Sequence, residues 1–351
     1  MTAPFAYRDA MLFAAKPKPG DKVAIVSASG GLPEIFPAPY ELGLERLRGF
    51  GLEPVEYPTT RKLRSTPQER AADLHAAWSD PSIRAVIASI GGDDQLTVLK
   101  HLDPAVLRAD PKPFFGYSDN TNLLNFLYTQ GIPAFHGGSV MVEFGRSGSM
   151  HPDSERSLRA ALFSSGDFEL APGAGWTDRN LDWGSPEFGT PEPELFPATD
   201  WTWYGESPVT GKLWGGCLEI LDWQLAANRW MLPVEQYSGI LFLETSEEMP
   251  AAETVYRILR NFGERGLLER FQAVLWGRPK AWALGNELPR PDSDTYVENQ
   301  YAAARRALSE YNPDALLVTG LDIGHTDPQF VLPYGGHAQL DPANRRITVT
   351  Y

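Results

Sequence analysis

Cysteine is nearly absent from these 351 residues: Cys217 stands alone. A single thiol closes no intramolecular disulfide and builds no cysteine-rich zinc site, and it fits a reducing compartment. Long apolar runs are missing too, and nothing approaches the roughly 20 residues a membrane-spanning helix needs. Near the N-terminus, the apolar stretch 11–15 is too short for a secretory signal, and Asp9 sits just before it. These absences make a cytoplasmic protein without a membrane partner the expectation. Positive charge is also scarce, since 31 Lys and Arg against 45 Asp and Glu leave a net charge of −14. A nucleic-acid surface needs the opposite balance, so none is expected as a partner. No spacing of histidines and carboxylates forms a recognisable metal set, and neither a metal nor a cofactor is expected.

The length exceeds what one core usually serves, which makes two domains the prior. KVAIVSAS (22–29) reads as a buried parallel strand running into Gly30-Gly31. Tyr40, Leu44 and Leu47 then fall at helical spacing. Thr66-Pro67-Gln68-Glu69 is a capping box opening a helix with Ala71, Leu74 and Trp78 on its apolar face. Strand 85–90 leads through Gly91-Gly92 to an expected helix carrying Leu96, Leu99 and Leu102. Strand PFFGYS leads to helix NTNLLNFLYTQ, which stops at Gly131. Strands alternating with helices predict a parallel, doubly wound α/β domain over residues 1–165.

Residues 166–210 break every period with prolines and are rich in aromatics, which suits a connecting loop, a lid or a binding loop. Residues 211–351 read as a second, β-rich domain. GKLWGGCLEILDWQLA is expected as a turn and a helix, 239–245, 273–277 and 315–325 as strands, and the tail as a hairpin around Pro342-Ala343-Asn344.

In FFGYSDNTNLL (114–124), Ser118 stands between a strand and a helix. It is either an N-cap or a nucleophile at a helix N-terminus. A nucleophilic serine needs a base and an acid to orient it. Of six histidines, His325 stands out because it follows Gly324 at the carboxyl end of an apolar strand, where chemistry gathers in open α/β sheets. Glu244 likewise ends a strand, while Glu247 and Glu248 fit the start of the next helix. Gly91-Gly92 could bring a backbone N–H towards Ser118, and the N–H of Asp119 could supply a second, together making an oxyanion hole. A phosphate loop is the rival reading of the two glycines, and Asp93-Asp94 argue against it. The turn is Gly-Tyr-Ser-Asp-Asn, not the G-x-S-x-G of the α/β-hydrolase elbow.

GYSDNT, IGGDD, ILFLETSEE and DIGHTDPQ resemble, as a set, the LD-carboxypeptidase family of serine peptidases, which includes muramoyltetrapeptide carboxypeptidases and microcin C immunity proteins. The resemblance runs from about Lys22 to the C-terminus. It implies an α/β domain and a β-rich domain with the active site between them, and a homodimer. It implies a triad of Ser118, Glu244 and His325 with backbone donors from Gly92 and Asp119. Cys217 stands where Gly-Gly-Asn is more usual, and His136 where a Tyr-Gly-like pair is, so both are candidate substrate contacts.

The reading that follows is a serine hydrolase cutting an amide bond in a peptidyl- or aminoacyl-nucleotide. The alternative within the family releases the terminal D-residue of a murein tetrapeptide. A non-catalytic small-molecule binding module is the alternative of another class. Seven of the ten tryptophans lie from Trp176 to Trp230. Trp176 and Trp183, set among Gly, Asp and Pro, are expected to stack on the distal part of the substrate.

Overall fold

Five segments at the N-terminal end form parallel strands, four of them apolar and buried and the second, Glu53–Glu56, a half-exposed edge strand. They are Lys22–Val26, Glu53–Glu56, Ile83–Ala88, Phe114–Gly116 and Ala134–His136. The short strand Leu332–Tyr334 returns from far along the chain and pairs antiparallel with Ala134–His136 to complete a six-stranded sheet. The computed structural model describes residues 11–12, 14–289 and 292–351. The first ten residues, part of the stretch read above as lacking a secretory signal, lie outside the described residues. Among the described residues no helix is long and apolar enough to cross a membrane.

The capping box forms as its sequence predicts: Thr66 and Glu69 satisfy each other's backbone N–H at the start of helix Pro67–Ser79. The helix expected over Leu96, Leu99 and Leu102 is instead two 3₁₀ turns, Gln95–Thr97 and Leu99–His101. Gln95 is held by its backbone to Asp119 and by its side chain to Asn120. Pro104 then starts a new helix, so a longer one has no room.

The second sheet has eight strands. Val209–Cys217, Gly239–Glu244, Phe271–Gly277 and Leu316–Leu321 run parallel at its centre. The C-terminal hairpin, His337–Asp341 and Arg346–Thr350, flanks them on one side. The stretch expected as a turn before helix Leu218–Ala227 is thus a central strand. Three glycines hide it from a hydrophobic-period reading, and one of them has a steric reason to be there. Gly215 has φ 153°, and a Cβ on it would fall 1.7 Å from the carbonyl oxygen of Phe242. Segment 166–210, expected as a connecting loop, supplies both edge strands of this sheet, Asp167–Leu170 and Thr202–Tyr204.

The two sheets share one core. Helix Thr121–Thr129 is buried at all nine positions. One apolar cluster passes from Val86 and Phe114 through Leu123, Leu124 and Leu127 to Leu213, Phe242 and Val274. The turn that carries Ser118 therefore starts a helix packed against both sheets.

Gly215→Ala should cost about 3 kcal/mol or more in urea unfolding, because neither the conformation nor the space admits a methyl group. Gly49→Ala, at the end of helix Pro37–Gly49 with nothing within 4 Å, should be neutral or stabilising by up to about 1 kcal/mol. Equal effects of the two substitutions would refute this account of the central strand.

Candidate active site

Strand Phe114–Gly116 stops at a reversal of the chain. Tyr117 is extended, and Ser118 takes φ 61° before the 3₁₀ turn Ser118–Asn120 runs into helix Thr121–Thr129. For a residue with a Cβ this left-handed conformation costs about 1–2 kcal/mol. The N-cap explanation fails, since no side chain caps either the turn or the helix. What the conformation achieves is exposure: Ser118 is half-buried between buried neighbours and lines a cleft.

Gly91 passes directly against it. A Cβ there would sit 2.8 Å from both Cβ and Oγ of Ser118, so the approach requires glycine. Asp119 follows the serine, and its carboxylate is fixed on three sides. It accepts hydrogen bonds from Ser29 Oγ, from the Gln95 backbone N–H at 2.9 Å and from Asn122 Nδ2 at 2.8 Å. The first turn of the helix is thereby held rigid beside Ser118.

Glu244 ends strand Gly239–Glu244 with no exposed surface. His325 Nδ1 donates to its Oε2 at 2.6 Å. Gly277 and Gly324 close around this carboxylate, for a Cβ on either would come within 2.7 Å of Glu244 Cβ. The edge of the Tyr117 ring meets the imidazole at a centroid distance of 5.0 Å. On the other ring nitrogen, Nε2, the carboxylate of Glu247 stands at 3.4 Å and is 57% exposed. Burial alone would lower the His325 pKa. The charge and hydrogen bond of Glu244, then the charges of Glu247 and Glu219, outweigh it and push the value up to about 9. Glu247 moves the opposite way: burial would raise its pKa, and the facing imidazole holds it below the usual carboxylate value.

The cleft has a volume of about 690 Å³, within the usual range of ligand sites. Its walls come from the carboxyl ends of strands in both sheets: 29–32, 91–94 and 117–118 from the first, 247–248, 280, 282–284 and 325 from the second. Residues 180–183 of the connecting segment close one side and bring Trp183, half-buried, against the edge of Phe36.

Ser118, Gly92, His325 and Trp183 thus share one cleft, with Glu244 behind the histidine. Three other candidates do not line it. His136 has no exposed surface, and its Nε2 donates to Ile323 O at 2.9 Å, propping the strand end that leads to His325. Cys217 is buried opposite Glu244 in the sheet register, its backbone N–H given to Thr121 Oγ1 at 3.1 Å. Trp176 is buried against Phe196 at 5.0 Å, with the Arg278 guanidinium over its ring at 4.3 Å. It packs the connecting segment down, outside the cleft lining. Sequence reasoning missed Lys280, which lies just past the carboxyl end of strand Phe271–Gly277 and lines the cleft. That position in the chain was its only signal.

Two family models match the chain: the LD-carboxypeptidase N-terminal domain over residues 23–137 and the LD-carboxypeptidase C-terminal domain over residues 210–340. Fold and matches together define a two-domain peptidase, and the chain belongs to the LD-carboxypeptidase family. A protein named as a carboxypeptidase in Streptomyces coelicolor is 36% identical, with 94% of each chain aligned. The microcin C7 self-immunity protein MccF of Escherichia coli is 26% identical over 97% of this chain and 96% of its own. A structure of MccF in complex with aspartyl sulfamoyl adenosine superposes with a TM-score of 0.83 at 25% identity, covering 97% of this chain and 98% of that one.

Two expectations follow from the site. Ser118→Ala and Ser118→Gly should both lose essentially all hydrolysis, and the glycine variant should be the more stable by about 1 kcal/mol in urea unfolding, because only glycine adopts the turn without penalty. Equal stabilities would show that the turn is not strained. A base must be neutral to accept a proton, so kcat/KM should rise with pH through the raised pKa of His325. Glu247→Gln removes one of the charges that raise it and should move this acid limb to lower pH. An unmoved limb would remove Glu247 from the electrostatics of the base.

Proposed function

We propose that this peptidase cuts an amide bond with Ser118 as nucleophile, His325 as base and Glu244 as orienting acid, and that its substrate is an aminoacyl- or peptidyl-nucleotide. As Ser118 Oγ attacks the carbonyl carbon, neutral His325 takes its proton at Nε2. The charge on the resulting tetrahedral oxygen is met by the backbone N–H groups of Gly92 and Asp119. The imidazolium then gives the proton to the leaving nitrogen, the C–N bond breaks and the acyl group stays on Ser118. Water attacks this ester with His325 again taking a proton, and the acid and free Ser118 are released. Glu244 holds Nδ1–H throughout, so that Nε2 is the nitrogen that accepts.

The observation that carries the substrate reading is the indole of Trp183, half-buried on the wall of the cleft that also holds Ser118 and His325. An aromatic face there suits a nucleobase, and the similar MccF structure holds an aminoacyl-adenosine analogue. The family's description as LD-carboxypeptidases supports the second reading, release of the terminal D-residue from a murein tetrapeptide.

Hydrolysis of an aspartyl-adenylate analogue with a cleavable amide and of a murein tetrapeptide, measured side by side, decides between them, and faster turnover of the first is expected. Base stacking is worth about 1–3 kcal/mol per base, so Trp183→Ala should lower kcat/KM for the nucleotide-bearing substrate by about tenfold to a hundredfold. Cleavage of a simple peptide and the Tm should stay nearly unchanged. Equal losses on both substrates would leave murein peptides as the better reading.

A further inference from the structure

Lys280 has almost no exposed surface, at 2%, yet it lines the cleft beside His325. An ammonium has three N–H donors, and all three are used within the protein. Nζ donates to Asp178 O at 2.6 Å, to Asn180 Oδ1 at 2.9 Å and to His325 O at 3.3 Å. Two of these acceptors lie on the connecting segment and the third is on the residue that carries the imidazole. The surroundings reinforce the arrangement. Ala281 N–H donates to Asp178 Oδ2 at 3.2 Å. Thr177 and Asp327 exchange backbone hydrogen bonds of 2.7 and 2.8 Å. The charged groups facing the ammonium are Glu247, Asp178 and Asp327.

We propose that Lys280 is a positioning residue, one buried ammonium that fixes the backbone of His325 and, at the same time, residues 178–183 that wall the cleft. His325 is then held at two points, through its ring by Glu244 and through its carbonyl by Lys280. The same cation anchors the stretch that ends in Trp183, so the reacting end of the cleft and its far wall share one support. Burial lowers the Lys280 pKa to about 8, so the support weakens when the lysine loses its proton. A side chain of similar length without donors would leave the buried carbonyl of Asp178 unpaired and release Asn180 and the His325 carbonyl.

This inference rests on the serine-hydrolase reading, and its test avoids any assumption about the natural substrate. A fluorophosphonate labels a serine only where a base activates it, so its second-order labelling rate reports Ser118 and His325 directly. Lys280→Met, shown to be folded by a cooperative unfolding transition, should be labelled at least tenfold more slowly than wild type at pH 7.5. Trypsin should also cut after Arg179 faster, as read by fragment mass. Lys280→Arg, which keeps a cation and donors, should recover part of the rate. Should the methionine variant not fold, Lys280→Gln is read in the same way. A folded methionine variant with the wild-type labelling rate, or an arginine variant that recovers none of the lost rate, overturns the proposal. A wild-type protein that takes no label instead overturns the serine-hydrolase reading beneath it.

Discussion

Everything at the site depends on how helix Thr121–Thr129 is sealed between the two sheets. Its polar Asn125 has no water to turn to, and its hydrogen bonds are met from the second half of the chain. Trp214 Nε1 donates to its Oδ1 at 3.0 Å, while its Nδ2 reaches Gln224 Oε1 and Trp230 O, each at 2.9 Å. A buried amide met in this way allows one seating of the helix, because a slip would leave several polar groups unpaired at a cost of about 1–3 kcal/mol each. Thr121 adds a link to Cys217, the direct neighbour of Glu244 in the sheet. The position of Ser118 relative to Glu244 and His325 is thus set by packing and hydrogen bonds below the cleft.

The Glu244–His325 pair shows the opposite economy. Glu244 is wholly buried, and among the described residues its Oε1 has no hydrogen-bond partner. A carboxylate in such a place is tolerable only beside a group that can carry positive charge. The pair is therefore mutually enforced, with Glu244 raising the pKa of His325 and the imidazole making the buried carboxylate admissible. Glu247 then adds to the effect from the solvent side of the ring.

Much of this could be read in the sequence, and the parts that could not share a cause. Ser118, Glu244 and His325 were legible because each interrupts an apolar run at a strand end, a purely local signal. The parallel strands and the capping box at Thr66 were legible for the same reason. Strand Val209–Cys217 was hidden by Gly211, Gly215 and Gly216, whose small size answers to the neighbouring strand at Gly239 and Phe242 and to Thr121 on the buried helix, neighbours that only the fold supplies. The burial of Trp176 could not be read locally, because its partner Arg278 lies far along the chain. The structural role of segment 166–210 was missed likewise: its strand Thr202–Tyr204 pairs with Leu316–Leu321. Lys280 escaped because lysine is rarely buried, and nothing local marks one that is.

The strand Leu332–Tyr334 joins the first sheet only after most of the second half of the chain has been made. A ribosome releasing the nascent chain from its N-terminus therefore emits five strands whose outer edge stays open until nearly the last residues appear. Neither family-matched portion is a self-sufficient piece: residues 23–137 lack their final strand, and residues 210–340 contain a strand whose place is in the other sheet. Gene fragments cut at the apparent domain boundary would yield two halves, each missing something the other holds.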